Sequence, residues 1–368
     1  MTAAASFQAP VLLVPDLALE HWPSMDRYAR ELATRVPAAA VPGEARTMRG
    51  PRYLARYVRY PRALRRYRPR IVHVADHSYA HCLSAFPRIP SVVTIHDLFP
   101  LHVVAAGGWS PRVAVRNRLL QRVLQWTRRA DRWIADSAFT AGEAQRLLGL
   151  PAERVRVVPL GVAGAFFEAP APAAVAARRR SWLGRNDAQG ARVVLHVGTC
   201  APRKRVETAL AAVALLRSRG LDALLVQIGG RFDRSQSRAI EALGLAPFVR
   251  QEPAASEPDL ITAYAAAEVL LLPSSYEGFG LPALEALAAG LPTVVSGAPA
   301  LRETVGAAGL VVDADEPEAF ARALERVLGD AALRATMAEQ GRSRARGMTW
   351  ERTAAAVTEV YADLGACA

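Results

Sequence analysis

Short apolar runs that alternate with longer segments of helical periodicity constrain this chain most. They fall at 11–14, 71–74, 92–95 and 133–135 in the first half, and at 193–197, 224–228, 269–272 and 293–295 in the second. A strand covered on both faces reads as a continuous apolar run, and the helices between such strands make the crossover connections. The pattern predicts an α/β fold with two doubly wound parallel sheets, one in each half. The halves share a layout without a repeated sequence, which excludes a solenoid. A chain of 368 residues is long enough for two domains, each with its own core. Between them, Glu168-Ala-Pro-Ala-Pro reads as a linker. A last helix is expected from Trp350 to about Leu364, with Thr349 as its N-cap, because Trp350, Ala354, Val357, Val360, Tyr361 and Leu364 repeat at helical spacing.

Composition narrows the class further. Cys82, Cys200 and Cys367 are widely separated and form no C-x-x-C pair, so neither a disulfide framework nor a zinc ribbon is available, and a reducing compartment is expected. The start, Met-Thr-Ala-Ala-Ala-Ser-Phe, has no basic n-region, and no run approaches the length of a membrane span, so the expected location is cytoplasmic. The net charge of +12 lies wholly in the first half, where residues 1–168 carry 24 Arg against 12 Asp and Glu. Lys204 is the single lysine among 46 basic residues, which suggests a position where arginine would not serve.

Two stretches carry candidate chemistry. Ser274-Ser-Tyr-Glu-Gly-Phe-Gly-Leu-Pro follows a buried strand, passes through a glycine-containing loop and enters a helix with Pro282 in its first turn and Gly290 past its end. Backbone N–H groups at 277–280 then stand at a helix N-terminus, a favourable place for a phosphate. Glu277 and Glu285, eight positions apart, can both face the carboxyl edge of the sheet and accept hydrogen bonds from sugar hydroxyls. Glu285 is placed in the first turn by this reading, where compensation of the helix dipole is the plainer alternative. In the other stretch, a strand ending at Gly198 leads through a loop with Arg203 and Lys204 to a helix near Val206. Two cations there can neutralise a departing diphosphate.

Together these stretches resemble the retaining, family 4 type of glycosyltransferases, of GT-B architecture with two Rossmann-like domains facing a central cleft. The resemblance continues through Ala-Tyr-Ala-Ala-Ala-Glu-Val-Leu-Leu-Leu-Pro-Ser-Ser at 263–275, Leu301-Arg-Glu-Thr-Val-Gly and Trp350. It implies an acceptor-side domain at 1–168, a nucleotide-sugar domain at 169–345, and a helix at 346–368 that crosses back to dock toward the first domain. The donor, a GDP- or UDP-hexose, would meet Gly198, Arg203, Lys204, Glu277, Gly278, Phe279, Gly280, Leu281 and Glu285. Thr94-Ile-His-Asp makes His96 a catalytic candidate with Glu277, Arg203 and Lys204, while Asp97, His77 and Trp22 fall on the acceptor side. Ser137 and Gly161 match further landmarks of the family. The implied activity is hexosyl transfer, mannosyl or glucosyl, to a glycan or lipid-linked hydroxyl in polysaccharide or glycolipid assembly. It uses no metal and no cofactor. The rival reading is a catalytically inactive, basic GT-B-like protein that binds nucleic acid or a membrane.

Some residues depart from the family or admit other readings. Where the family often carries a glycine-rich turn, this chain has Trp22-Pro23-Ser24-Met25. Asp313-Ala-Asp315 has the form of a D-x-D metal motif but reads as a turn capping the next helix. His73, Asp76, His77 and His81 resemble a ligand cluster, although they follow a strand at the acceptor-side edge. The run 46–70 sets Arg52, Arg56, Arg59, Arg62, Arg65, Arg66, Arg68 and Arg70 among Tyr53, Tyr57, Tyr60 and Tyr67. It fits a solvated face, a contact with anionic membrane on the inner face, or nucleic-acid binding, and the membrane contact is carried forward without nucleic acid.

Overall fold

The computed structural model describes residues 10–365 apart from 21, 37–38, 49, 106–110, 185–189 and 314. The N-terminal stretch read for a leader, Cys367 and the middle residue of the D-x-D motif lie outside the described residues. The chain forms two compact units, Met1–Gly161 with Trp350–Ala368, and Val162–Thr349.

The first unit has a six-stranded parallel sheet of β1 (Val11–Val14), β2 (Ala39–Ala40), β3 (Ile71–Val74), β4 (Ser91–Ile95), β5 (Arg132–Ala135) and β6 (Val155–Val157), in the order β2-β1-β3-β4-β5-β6. Val14 lies opposite Val74 and Val74 opposite Val93, while β4 and β5 run two residues further to the paired Ile95 and Ala135, so all four strands end at one edge. The second unit repeats the plan with β7 (Arg192–Val197), β8 (Ala223–Ile228), β9 (Val249–Glu252), β10 (Val269–Leu272), β11 (Thr293–Ser296) and β12 (Leu310–Val312), in the order β12-β11-β10-β7-β8-β9. In both sheets the central strands are buried, as helices on both faces require.

The C-terminal helix Trp350–Ala362 belongs to the first unit and packs on the helix Pro23–Arg35. Trp350, Ala354, Val357, Val360 and Tyr361 are buried, while Leu364 follows the helix and is half-buried. Tyr361 closes a polar chain inside the unit: its hydroxyl lies 2.6 Å from His73 Nδ1, His73 Nε2 lies 2.7 Å from Thr94 Oγ1, and that oxygen lies 2.9 Å from the Tyr28 hydroxyl. Burial of one face of this 13-residue helix is what holds the segment on the first unit.

The Pro/Ala stretch after Glu168 lies inside the second unit. Phe166, just before it, is buried and meets the Tyr264 ring edge-on at 6.0 Å, which anchors this segment to the second sheet's helices. The helix Pro172–Leu183 then follows.

Candidate active site

In the second unit, two loops at the carboxyl edge of the sheet bring three of the expected donor-side residues together. β7 ends at Val197, and Gly198 follows at φ +146°, where the Lys204 stem passes 3.5 Å from the place a Cβ would occupy. A short turn, Pro202–Lys204, precedes the helix Val206–Ser218. The loop after β10 is stitched to it, since Ser275 N–H donates to the Arg203 carbonyl at 2.8 Å. Across this seam Lys204 Nζ donates to Glu277 Oε1 at 2.6 Å, and Arg203 Nη1 donates to Glu277 Oε2 at 3.1 Å and to the Tyr276 carbonyl at 3.1 Å. Lys204 and Glu277 are each 7% exposed. Burial alone would raise the Glu277 pKa, but Lys204 and then Arg203 hold it below the usual range, so this carboxyl is ionised.

The same charge acts on His196 in β7. Burial first and Lys204 next push its pKa down to about 4, so this imidazole is neutral beneath the cations. His196 was missed in the sequence because a histidine inside an apolar strand gives no sign of what lies over it.

Glu277 leads through Gly278 and Phe279 to Gly280 at φ +99°, and Leu281 opens the helix Leu281–Ala289. A Cβ on Gly280 would stand 2.5 Å from Leu301 Cδ2, so both conformation and space call for glycine. Thr304 Oγ1 donates to the Phe279 carbonyl at 2.6 Å and fixes the loop from behind. Glu285 is in the second turn of this helix, not the first, and is buried where it accepts from the Tyr264 hydroxyl at 2.8 Å. Dipole compensation at the helix start is therefore not its role.

In the first unit, His96 directly follows β4 and is buried. Its Nδ1 lies 2.6 Å from Asp136 Oδ2 and its Nε2 lies 2.8 Å from the Ala75 carbonyl. A carbonyl only accepts, so Nε2 carries a proton and donates to it, and Nδ1–H donates to the carboxylate. Burial opposes the charge, but Asp136 overcomes it and raises the pKa to about 9, which makes His96 an imidazolium. Asp136 was missed, although it stands beside Ser137, which caps the helix Ala138–Leu148.

The remaining acceptor-side candidates are spread over the same edge. Asp97 Oδ1 accepts from the Phe99 amide at 3.2 Å, His77 Nδ1 is 3.2 Å from Asp76 Oδ1, and the Trp22 ring lies 5.7 Å from the Arg56 guanidinium. Glu20, unsuspected in the sequence, is buried between Arg56 at 3.1 Å, the Tyr79 hydroxyl at 2.8 Å and Arg52.

The supposed metal ligands have other work. His73 bonds Tyr361 and Thr94, and His81 Nε2 lies 2.9 Å from the Arg56 carbonyl. Asp313 pairs with Arg302 and Asp315 with Arg205, while the next helix is entered through Glu316 without a side-chain cap. The expected capping turn is thus replaced by two ion pairs. Among the described residues no group of three His, Cys, Asp or Glu side chains stands together as a metal site would need.

The arginine-rich run is helical from Arg52 to Leu64, with a wide π turn at Ala55–Arg59 just before Pro61, which has no N–H to offer the preceding turn. Arg56 points inward to Glu20 and the Ser78 carbonyl, and Tyr60 and Tyr67 are buried, so none of these three belongs to a surface face. Tyr53 and Leu54 are exposed at 67% and 47%.

Comparison with known proteins settles the family. Residues 160–344 match the model of glycosyl transferases group 1, and residues 17–163 match that of Glycosyltransferase Family 4. The chain belongs to the glycosyl transferases group 1 family. It is 34% identical over 291 residues to the D-inositol 3-phosphate glycosyltransferase of Thermobispora bispora, covering 75% of this chain and 65% of that protein. It is 30% identical over 287 residues to the protein of that name from Paenarthrobacter aurescens, covering 76% and 68%. The match thus spans less than two thirds of the first of these relatives. Among solved structures, the sucrose-phosphate synthase of Thermosynechococcus elongatus superposes with a TM-score of 0.77 at 21% identity, covering 98% of this chain and 100% of that one. Anabaena HepE in complex with UDP-glucose gives 0.77 at 18% identity, covering 96% and 99%. These likenesses show the GT-B fold of two parallel-sheet domains.

Proposed function

We propose that this chain is a retaining glycosyltransferase that moves a mannosyl or glucosyl unit from a nucleotide diphosphate sugar to an acceptor hydroxyl in polysaccharide or glycolipid assembly, without a metal. The observation that carries the reading is the buried Lys204–Glu277–Arg203 cluster beside the helix Leu281–Ala289, within the stretch that matches the family. In the proposed cycle the diphosphate takes over the two cations and the helix N-terminus, which then stabilise the charge that develops on the leaving group. Glu277, released from part of its pairing, accepts hydrogen bonds from the hexose hydroxyls. The acceptor attacks from the face the diphosphate leaves, and the diphosphate takes the acceptor's proton. A UDP-hexose is the donor to test first, because HepE was solved with UDP-glucose.

The test is to titrate UDP and uridine into the Arg203→Ala and Lys204→Ala variants. A charge-assisted hydrogen bond to a phosphate is worth about 1.5–3 kcal/mol, so UDP is expected to weaken by about tenfold or more while uridine changes little. Equal losses for the two ligands would assign the cations a structural part and overturn the reading.

Attachment at a membrane surface is part of the proposal, carried by exposed Tyr53 and Leu54 beside exposed Arg59, Arg62 and Arg65. Among the described residues no helix is long and apolar enough to cross a membrane. Co-sedimentation with anionic vesicles at low salt, lost in the triple variant Arg59→Gln, Arg62→Gln, Arg65→Gln, is the expected result, since each arginine near such a surface adds about 1 kcal/mol. Equal binding to neutral vesicles, or none at low salt, contradicts it.

A further inference from the structure

The carboxyl edge of the first unit's sheet holds a buried acid whose side chain has no hydrogen-bond partner among the described residues. Four adjacent strands, β1, β3, β4 and β5, are followed within two residues by Asp16, Asp76, His96 and Asp136, all buried. Three of these have partners: Asp76 accepts from the Ser78 amide at 2.7 Å and faces His77, while His96 and Asp136 bind each other. Asp16 differs. It is 2% exposed, and neither carboxyl oxygen has a hydrogen-bond partner among the described residues.

Leaving a buried carboxyl unpaired is destabilising, so a folded chain that keeps one there gains something other than stability. Asp76, Arg56, His96 and Glu20 are near enough for their charges to act on Asp16. The two cations of this group are committed elsewhere, Arg56 to Glu20 and the Ser78 carbonyl, His96 to Asp136 and the Ala75 carbonyl. Burial and then Asp76 hold the Asp16 pKa well above the usual carboxyl range, which favours a protonated group offering one donor and one acceptor. That pairing suits a hydroxyl, which also donates and accepts. It suits a phosphate poorly, since that would meet Asp76 and Glu20 while Arg56, with only its Nε left unpartnered, and His96 already bind carboxylates.

We propose that Asp16 is a hydroxyl-binding residue of an acceptor subsite in the first unit, and that this subsite takes an uncharged polyhydroxy compound and excludes one phosphorylated where it meets Asp16. The inference rests on the glycosyl-transfer reading and narrows its acceptor class. Sequence alone shows Asp16 only as one acid after a strand; the absent partners are what single it out.

The experiment is calorimetric titration of the full chain, with UDP present, using glucose and myo-inositol and, in parallel, glucose 6-phosphate and myo-inositol 3-phosphate. Wild type is expected to bind at least one uncharged probe about tenfold or more tighter than its phosphorylated counterpart. Asp16→Ala should weaken that uncharged probe by about tenfold or more, with UDP affinity unchanged and a melting temperature no lower than wild type, because no native bond is lost. Should the alanine variant fold poorly, Asp16→Leu, which roughly keeps the volume but offers neither donor nor acceptor, is read in the same way for its loss of the uncharged probe. Equal or tighter binding of the phosphorylated probes, no binding of either uncharged probe, or unchanged affinities in the variants overturns the proposal. Failure of the donor reading is separate: it appears as absent binding of UDP and GDP to wild type, whatever the polyols do.

Discussion

Replacement of Glu277 by glutamine is expected to lower hexosyl transfer from a nucleotide diphosphate sugar by about 10²–10³-fold, the scale of removing one preorganised polar group from a water-poor site. The amide keeps the volume and one acceptor oxygen but gives up the charge that Lys204 and Arg203 hold at 2.6 and 3.1 Å. Alanine is the poorer probe. A loop carboxylate at a helix start looks dispensable for folding in the sequence, yet Glu277 is buried, and removing it strands Lys204, itself 7% exposed, without its counter-ion. Breaking a buried pair from one side costs about 3–5 kcal/mol, so Glu277→Ala should lose stability and activity together. Steady-state rates with UDP-hexoses, read beside thermal melts of both variants, separate the effects. Unchanged turnover in a folded Glu277→Gln protein would remove Glu277 from the chemistry.

What the sequence disclosed follows the physics of each element. The eight strands read from it are central or next to central in their sheets, where cover on both faces makes runs such as Val-Leu-Leu-Leu at 269–272 unmistakable. The four that complete the sheets, Ala39–Ala40, Val155–Val157, Val249–Glu252 and Leu310–Val312, are all edge strands. An edge has one paired side and partial exposure, so Val249-Arg-Gln-Glu carries polar residues that blur the pattern. The donor loops were legible for a similar reason: a strand, a glycine-bearing loop and a helix start lie within a few residues of each other. Arg56 was not, because only the fold reveals that its helix widens at Ala55–Arg59 and turns that side chain toward Glu20, 36 residues away. Asp136 and Glu20 likewise acquire meaning only from partners distant in the sequence, His96 for the one and Arg56 and Tyr79 for the other.

The histidines predict a stability maximum near pH 6.5 whose alkaline side belongs to His96. Its pKa is raised to about 9 in the folded chain, against about 6.5 when unfolded. The folded state therefore holds the proton more tightly, and this contribution is complete below pH 6.5 and is lost as pH rises through 9. At about 1.4 kcal/mol per pH unit, the loss across that window is at most about 3.5 kcal/mol. His73, His81 and His196 act on the other side. Burial lowers them to about 3, 4 and 4, so they must be kept neutral, and their contribution is present above pH 6.5 and falls away as pH drops toward 4. Their stabilisation does not change further between pH 6.5 and 9, which leaves that window to His96 among these four. Thermal melts from pH 4 to 10 should show stability falling between pH 7 and 9 in wild type, and a flatter profile there in His96→Gln. A variant whose alkaline slope matches wild type would show that Asp136 does not hold His96 as an imidazolium, and the charge assigned to the strand-end histidine would then have to be withdrawn.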